Sequence, residues 1–242
     1  MDNWITTIKI AHRGLHNNIY PENSLGAFEN ACRMGFAIEL DVRKIQDGNI
    51  IVFHDDNLQR TCNTDIKVET LISSDLKNYN LFNTNYIIPS LKEVLQLVNG
   101  RVPLLIEIKN HNLKHRIAPN IYNIIKDYSG AVAIKSFNPL EVMWFKRHAP
   151  HITRGMLACG LNDVKLPRAY KFLVKHLSLY KLTRPHFISY CYRDLPNKYI
   201  LHKKVPILTW TIHSSITEAQ ALQLADNIIF EGYTPEQSHI GV

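Results

Sequence analysis

An α/β architecture whose parallel strands close into one eight-stranded (β/α)8 barrel, with a small insertion after the second strand region, is expected from three features of this 242-residue chain. Short β-branched apolar runs alternate with amphipathic stretches from end to end, the rhythm of βαβ units. No linker, internal repeat or low-complexity tract divides residues 1–242. The length suits a single barrel better than two domains. A doubly wound open sheet is the structural alternative.

Along the chain, strand-like runs at 8–11 and 37–42 flank a helical stretch at 24–34, which is preceded by Pro21, Glu22, Asn23 and Ser24. Asn23 is a candidate N-cap there. A further run at 50–53 follows Asp47 and Gly48. Residues 55–88 then break the rhythm, with six asparagines and little apolar periodicity, and read as an insertion over the barrel mouth. Beyond it come a helix at 91–98, a strand at 104–108, a helix at 117–128 and strands at 132–136 and 152–157. Residues 163–180 place Leu166, Tyr170, Leu173, Leu177 and Tyr180 on one helical face opposite Arg168, Lys171 and Lys175, a pattern that suits packing on a barrel. Strands at 187–190, 205–211 and 227–230 and a helix at 216–224 complete the series.

The composition, 45% hydrophobic and 20% charged, is that of a soluble globular protein, and no apolar run approaches the roughly 18 residues needed to span a bilayer. Residues 1–7 have neither the basic nor the apolar region of a secretion signal. Cys32, Cys62, Cys159 and Cys191 are too scattered for a zinc site or a disulfide framework. A cytoplasmic protein is expected. The net charge of +7 is concentrated in residues 165–204, which hold ten Lys or Arg and one acid, Asp194. Such a region suits phosphate esters, nucleic acid or acidic lipid. A solvated basic face is the simplest reading; contact with a membrane surface is not favoured, and no zinc-finger or RNP signature points to nucleic acid.

The chemistry concentrates in the first half of the chain. Residues two apart on a strand share a face, so Glu39 and Asp41 point one way while Ile38, Leu40 and Val42 point the other. The run ending in Glu107, Ile108 and Lys109 sends Glu107 and Lys109 inward in the same manner. Three buried carboxylates repel one another unless something cationic sits among them. One hard divalent cation, Mg2+ or Ca2+, held by Glu39, Asp41 and Glu107 meets that need; a salt-bridged cluster with Lys109 and Arg13 is the alternative. His12 and His54 each end an apolar run, which puts both at the C-terminal rim of a parallel sheet, and two histidines among carboxylates suit general acid and base work.

His12-Arg13-Gly14, Pro21-Glu22-Asn23-Ser24, Glu39-Leu40-Asp41, Asp47-Gly48, His54-Asp55, the run Leu58-Gln59-Arg60-Thr61 and Glu107-Ile108-Lys109 together resemble the ordered motifs of the glycerophosphodiester phosphodiesterase family. Lys135-Ser136-Phe137-Asn138 and Thr209-Trp210-Thr211 are similar to its later strand ends. The resemblance implies a TIM barrel, one Mg2+ or Ca2+ on Glu39, Asp41 and Glu107, His12 and His54 as the acid/base pair, and Arg13 and Lys109 neutralising a small phosphodiester. It also implies attack on phosphorus by the neighbouring glycerol hydroxyl, followed by hydrolysis of the cyclic phosphate. Glu22 is expected to reach the metal or the glycerol hydroxyls, with Asn23 mainly structural. Asp55 either orients His54 or starts the insertion, Ser136 is a candidate substrate donor, and Trp210 is a candidate wall of the leaving-group pocket. The chain departs from the family at His213 and at Glu231-Gly232-Tyr233, which bears on specificity more than on chemistry. The expected activity is hydrolysis of glycerophosphocholine- or glycerophosphoethanolamine-like diesters to sn-glycerol 3-phosphate and an alcohol. The alternatives are a lysophospholipase D-like enzyme at a membrane surface and a non-catalytic phosphate-ester or nucleic-acid binding module.

Overall fold

The computed structural model describes residues 4–110, 112, 115–160 and 177–236. Its strands are β1 (Ile10–Ala11), β2 (Ala37–Lys44), β3 (Ile50–Val52), β4 (Leu104–Ile108), β5 (Val132–Ser136), β6 (Thr153–Ala158), β7 (Phe187–Cys191), β8 (Ile207–Ile212) and β9 (Asn227–Phe230). Eight of them run parallel in the order β1-β2-β4-β5-β6-β7-β8-β9, and β9 returns to β1 through Ile10↔Ile229 and Ala11↔Phe230, closing the barrel. The doubly wound alternative is thereby set aside.

The run at 50–53 differs from expectation. β3 pairs antiparallel with the end of β2, Val42 opposite Val52 and Lys44 opposite Ile50, so it is the return arm of a hairpin and not a barrel strand. The turn explains this: Gly48 takes φ +88°, and the Asn49 N–H donates to the Asp47 carboxylate.

Alternation along each strand sorts the apolar residues into two layers. Ile38, Leu40, Leu104, Ile106, Ile134 and Ile188 face outward into the core beneath the helices. Leu105, Ala133, Phe187, Leu208 and Ile229 face inward and fill the barrel floor with Trp4 and Ile5 of α1 (Trp4–Thr7). Asn227 ties that segment down by donating to the carbonyls of Ile5 and Ile8 at 2.9 and 2.8 Å. Above the floor the inward positions become charged.

The surrounding helices include α2 (Leu25–Arg33), α4 (Leu91–Val98), α5 (Ala118–Ile125) and α6 (Pro139–His148), with the short α3 (Gln59–Cys62) in the insertion. The α6 helix starts where Asn138 caps it by accepting from the Leu140 N–H and Pro139 opens its first turn. Residues 163–176 of the basic amphipathic stretch lie outside the described residues. The insertion is built mostly of 3-10 turns, and it has a core of its own in which Ile45, Ile51, Phe53, Leu58, Val68, Leu71, Leu76, Leu81 and Ile88 pack together.

Candidate active site

The strand alternation delivers Glu39, Asp41 and Glu107 to one point at the C-terminal mouth of the barrel. One oxygen of each lies within 4.8 Å of the others, and the three are at most 6% exposed. Lys135 on β5, register partner of Glu107, reaches Glu39 at 2.9 Å and Glu107 at 3.0 Å. Lys109 sits 2.9 Å from Glu107 and 3.7 Å from Asp41, and the Arg13 Nε is 3.3 Å from Asp41.

The turn after β1 explains the His12-Arg13-Gly14 sequence. Arg13 takes φ +55° and Gly14 φ +81°, and a Cβ on Gly14 would lie 2.9 Å from Ala27 and Phe28. The tight turn sends the Arg13 N–H to the Glu39 carboxylate at 3.1 Å and places His12 over the cluster. The His12 Nδ1 lies 2.5 Å from Glu231, which follows β9, while its Nε2 faces Glu39 at 4.0 Å. His16 and His213 approach the same Glu231 carboxylate at 3.5 Å each.

His54 reaches the mouth by a route other than the one expected. The β3 arm folds back so that the Phe53 N–H donates to the Asp41 carbonyl, which drops His54 beside the barrel rim. Its Nδ1 is 2.6 Å from Asp55, whose second oxygen accepts from Arg60 at 2.7 Å. Arg60 also clamps both oxygens of Glu22, which Arg13 grips at 2.7 Å from the other side. Asp55, Arg60, Glu22 and Arg13 therefore form one chain of charge-assisted bonds from His54 to the carboxylate cluster.

Several expected roles change. Ser24, not Asn23, caps α2, by accepting from the Ala27 N–H. Asn23, buried with φ +56°, exchanges bonds with Asp41, donating from Nδ2 at 3.0 Å and accepting from its N–H at 3.3 Å. The Glu22 oxygens are engaged by arginines. Ser136 donates to the Ile108 carbonyl and accepts from the Asn138 N–H, so its hydroxyl takes part in a strand-end turn. Trp210 packs edge-on against Phe137 above the barrel floor, its indole N–H buried with no hydrogen-bond partner among the described residues. Asp55 contacts the His54 Nδ1, the geometry that an orienting role requires. Beside the His54 network a groove of about 830 Å3 opens between the insertion and the loop after β1, lined among others by His16, Glu22, Arg60, Phe82 and Tyr233.

The electrostatics of the cluster follow from burial opposed by pairing. Burial pushes the Asp41 carboxyl up, but Lys109, His54, Arg13 and His12 outweigh it and hold Asp41 well below the usual carboxylate range. Burial acts the same way on Glu107, where Lys109 and Lys135 win and bring it to about 2. Lys135 is raised: burial disfavours its charge, and Glu39 and Glu107 more than compensate. Glu231 is lowered despite burial by its bonds to His12 and His16. Around the mouth six carboxylates, Glu22, Glu39, Asp41, Asp55, Glu107 and Glu231, face four fixed cations, Arg13, Arg60, Lys109 and Lys135. Histidines aside, these carboxylates outnumber these cations by two. An all-carboxylate donor set with that residual charge fits a hard divalent cation.

Comparisons with known proteins point the same way. The sequence model of the glycerophosphoryl diester phosphodiesterase family matches residues 12–190. A glycerophosphodiester phosphodiesterase of Caldanaerobacter subterraneus subsp. tengcongensis is 35% identical over 169 residues, 65% of this chain and 69% of the relative. One from Bacillus altitudinis is 35% identical over 160 residues, covering 61% and 64%. Among solved structures, an Oleispira antarctica phosphodiesterase in complex with its product sn-glycerol-3-phosphate superposes with a TM-score of 0.80 at 21% identity, over 95% of this chain and 94% of that one. The Thermotoga maritima glycerophosphodiester phosphodiesterase gives 0.72 at 25% identity, over 93% and 94%.

Proposed function

Since the chain belongs to the glycerophosphoryl diester phosphodiesterase family, we propose that it hydrolyses glycerophosphodiesters such as glycerophosphocholine or glycerophosphoethanolamine to sn-glycerol 3-phosphate and an alcohol, in the cytoplasm. The observation that carries this reading is the pair of histidine–carboxylate dyads, His12–Glu231 and His54–Asp55, on either side of a buried carboxylate trio.

In each dyad the carboxylate holds Nδ1, which makes Nε2 the nitrogen free to exchange a proton with substrate. One histidine takes the proton of the attacking glycerol hydroxyl and the other gives a proton to the departing alcohol oxygen, which leaves a cyclic phosphate; with the two roles exchanged, water then opens the ring to glycerol 3-phosphate, so atoms and charge balance over the two steps. Arg13 and Lys109, at the edge of the trio, bind the phosphoryl oxygens and stabilise the charge that builds on them. Glu39, Asp41 and Glu107 would hold one Mg2+ or Ca2+ ion, which would supply Lewis-acid polarisation of the phosphoryl group. The groove bounded by Arg60, Phe82 and Tyr233 receives one arm of the diester. The apolar lip of that groove, with Ile19 68% and Phe82 40% exposed, supports a second reading in which a lysophospholipid is the substrate.

Release of glycerol 3-phosphate from glycerophosphocholine and glycerophosphoethanolamine, with Mg2+, Ca2+ or a chelator, tests the proposal. Metal-dependent turnover that falls by at least about 10²-fold in His54→Ala is expected; an unchanged rate in that variant refutes it. Turnover confined to lysophosphatidylcholine favours the second reading.

A further inference from the structure

Lys135 is an unusual neighbour for three carboxylates meant to hold a dication. It is 2% exposed, lies on the strand next to Glu107, and spends its ammonium on the Glu39 Oε1 at 2.9 Å and the Glu107 Oε2 at 3.0 Å. The remaining oxygens differ in what they face. Glu39 Oε2 accepts the Arg13 N–H and looks toward His12, Glu107 Oε1 meets Lys109, and Asp41 Oδ1 has Lys109 at 3.7 Å. Asp41 Oδ2 is occupied by Asn23 and Arg13. Lys135 therefore ties down one oxygen of Glu39 and one of Glu107, and the other Glu107 oxygen carries Lys109.

Resting on the metal reading above, we infer that Lys135 sets cation selectivity by holding Glu39 to one ligand oxygen, Oε2, so that the site offers few carboxylate oxygens and suits Mg2+ over Ca2+. Mg2+ is small, requires near-octahedral geometry and keeps several waters, so three protein oxygens satisfy it. Ca2+ takes 6–8 oxygens and draws on bidentate carboxylates. An ammonium 3 Å from one oxygen of a carboxylate bars a second cation from chelating both oxygens of that group, by repulsion and by occupied space. Asn23 and Arg13 restrict Asp41 in the same sense. Removing the Lys135 amine frees Glu39 to turn and chelate, while Glu107 stays tied to Lys109.

Calorimetric titration of the substrate-free protein with MgCl2 and with CaCl2 tests this, on the wild type, Lys135→Met and Lys135→Gln, with circular dichroism to establish folding. The Ca2+-to-Mg2+ affinity ratio is expected to rise by at least about tenfold in both variants, since bidentate carboxylates are a Ca2+ feature. Equal strengthening of both ions, or no change in either, overturns the inference while leaving the metal site intact, because it reduces Lys135 to charge balance. Should the variants not fold, the wild type decides: Ca2+ bound tighter than Mg2+, the behaviour of a bidentate oxygen cage, overturns it, and Mg2+ bound at least as tightly as Ca2+ supports it. Absence of binding by either ion to folded wild-type protein removes the metal reading and the inference with it.

Discussion

Glu107 offers a quantitative test of how the mouth of the barrel is held together. Its carboxyl is buried, lowered from 4.5 to about 2 by Lys109 and Lys135 against the cost of burial. A carboxylate so displaced stabilises the fold by about 3 kcal/mol at neutral pH. The contribution is complete above 4.5, where the unfolded chain is ionised as well, and it is lost as pH falls through 4.5 toward about 2, because the unfolded state takes up the proton first. About 2 kcal/mol of it is gone by pH 3. Glu107→Gln removes the titrating group and leaves both lysines short of a partner, so at pH 7 the variant is expected to be less stable by about 3 kcal/mol, as when one member of a buried ion pair is deleted. Urea unfolding at pH 7, 5, 4 and 3, followed by far-UV circular dichroism, gives the difference between the two proteins at each pH. That difference should shrink by about 2 kcal/mol between pH 5 and pH 3. Parallel loss of stability in wild type and variant over that interval refutes the reasoning.

Two further outcomes follow from contacts elsewhere. Glu231→Gln keeps a hydrogen-bonding side chain 2.5 Å from His12 but removes its charge; kcat on a glycerophosphodiester is expected to fall by about 10²-fold or more with KM changed far less, since the loss falls on a proton-transfer step. In the barrel interior a methyl on Gly155 would run into the Phe187 ring. Gly155→Ala should cost about 1–3 kcal/mol by overpacking, read as a lowered thermal midpoint with the cation site still titratable by calorimetry.

The parts of the site legible in the sequence are those governed by local geometry. Period-two alternation at 37–42 and 104–109 was enough to aim Glu39, Asp41, Glu107 and Lys109 inward, because it needs no knowledge of neighbours. Lys135 carries the same signal, a charge closing the apolar run from Val132 to Ile134, and could have been found by the same rule. His54 was expected at the rim for the wrong reason: the apolar run 50–53 resembles a parallel strand, and only the Asp47-Gly48 turn reveals the hairpin. Glu231 was beyond local reasoning, since 219 residues separate it from His12 and only closure of β9 on β1 brings them together. Ser136 and Asn23 show the converse limit. Polar residues at element ends serve backbone and substrate alike, and the pattern does not distinguish the two.

The insertion's private core divides the active centre between two packing units. His54, Asp55 and Arg60 belong to the polypeptide that folds around Phe53, Leu58 and Leu81, whereas His12, Lys135 and the three acids stand on barrel strands whose apolar contacts lie elsewhere. The small cluster can open at a lower free-energy cost than the barrel, as a sub-global excursion. A molecule caught in that excursion keeps its carboxylate trio and loses His54, so on the mechanism proposed above the competent fraction follows the weaker of the two stabilities, and heat is expected to extinguish turnover before it melts the barrel.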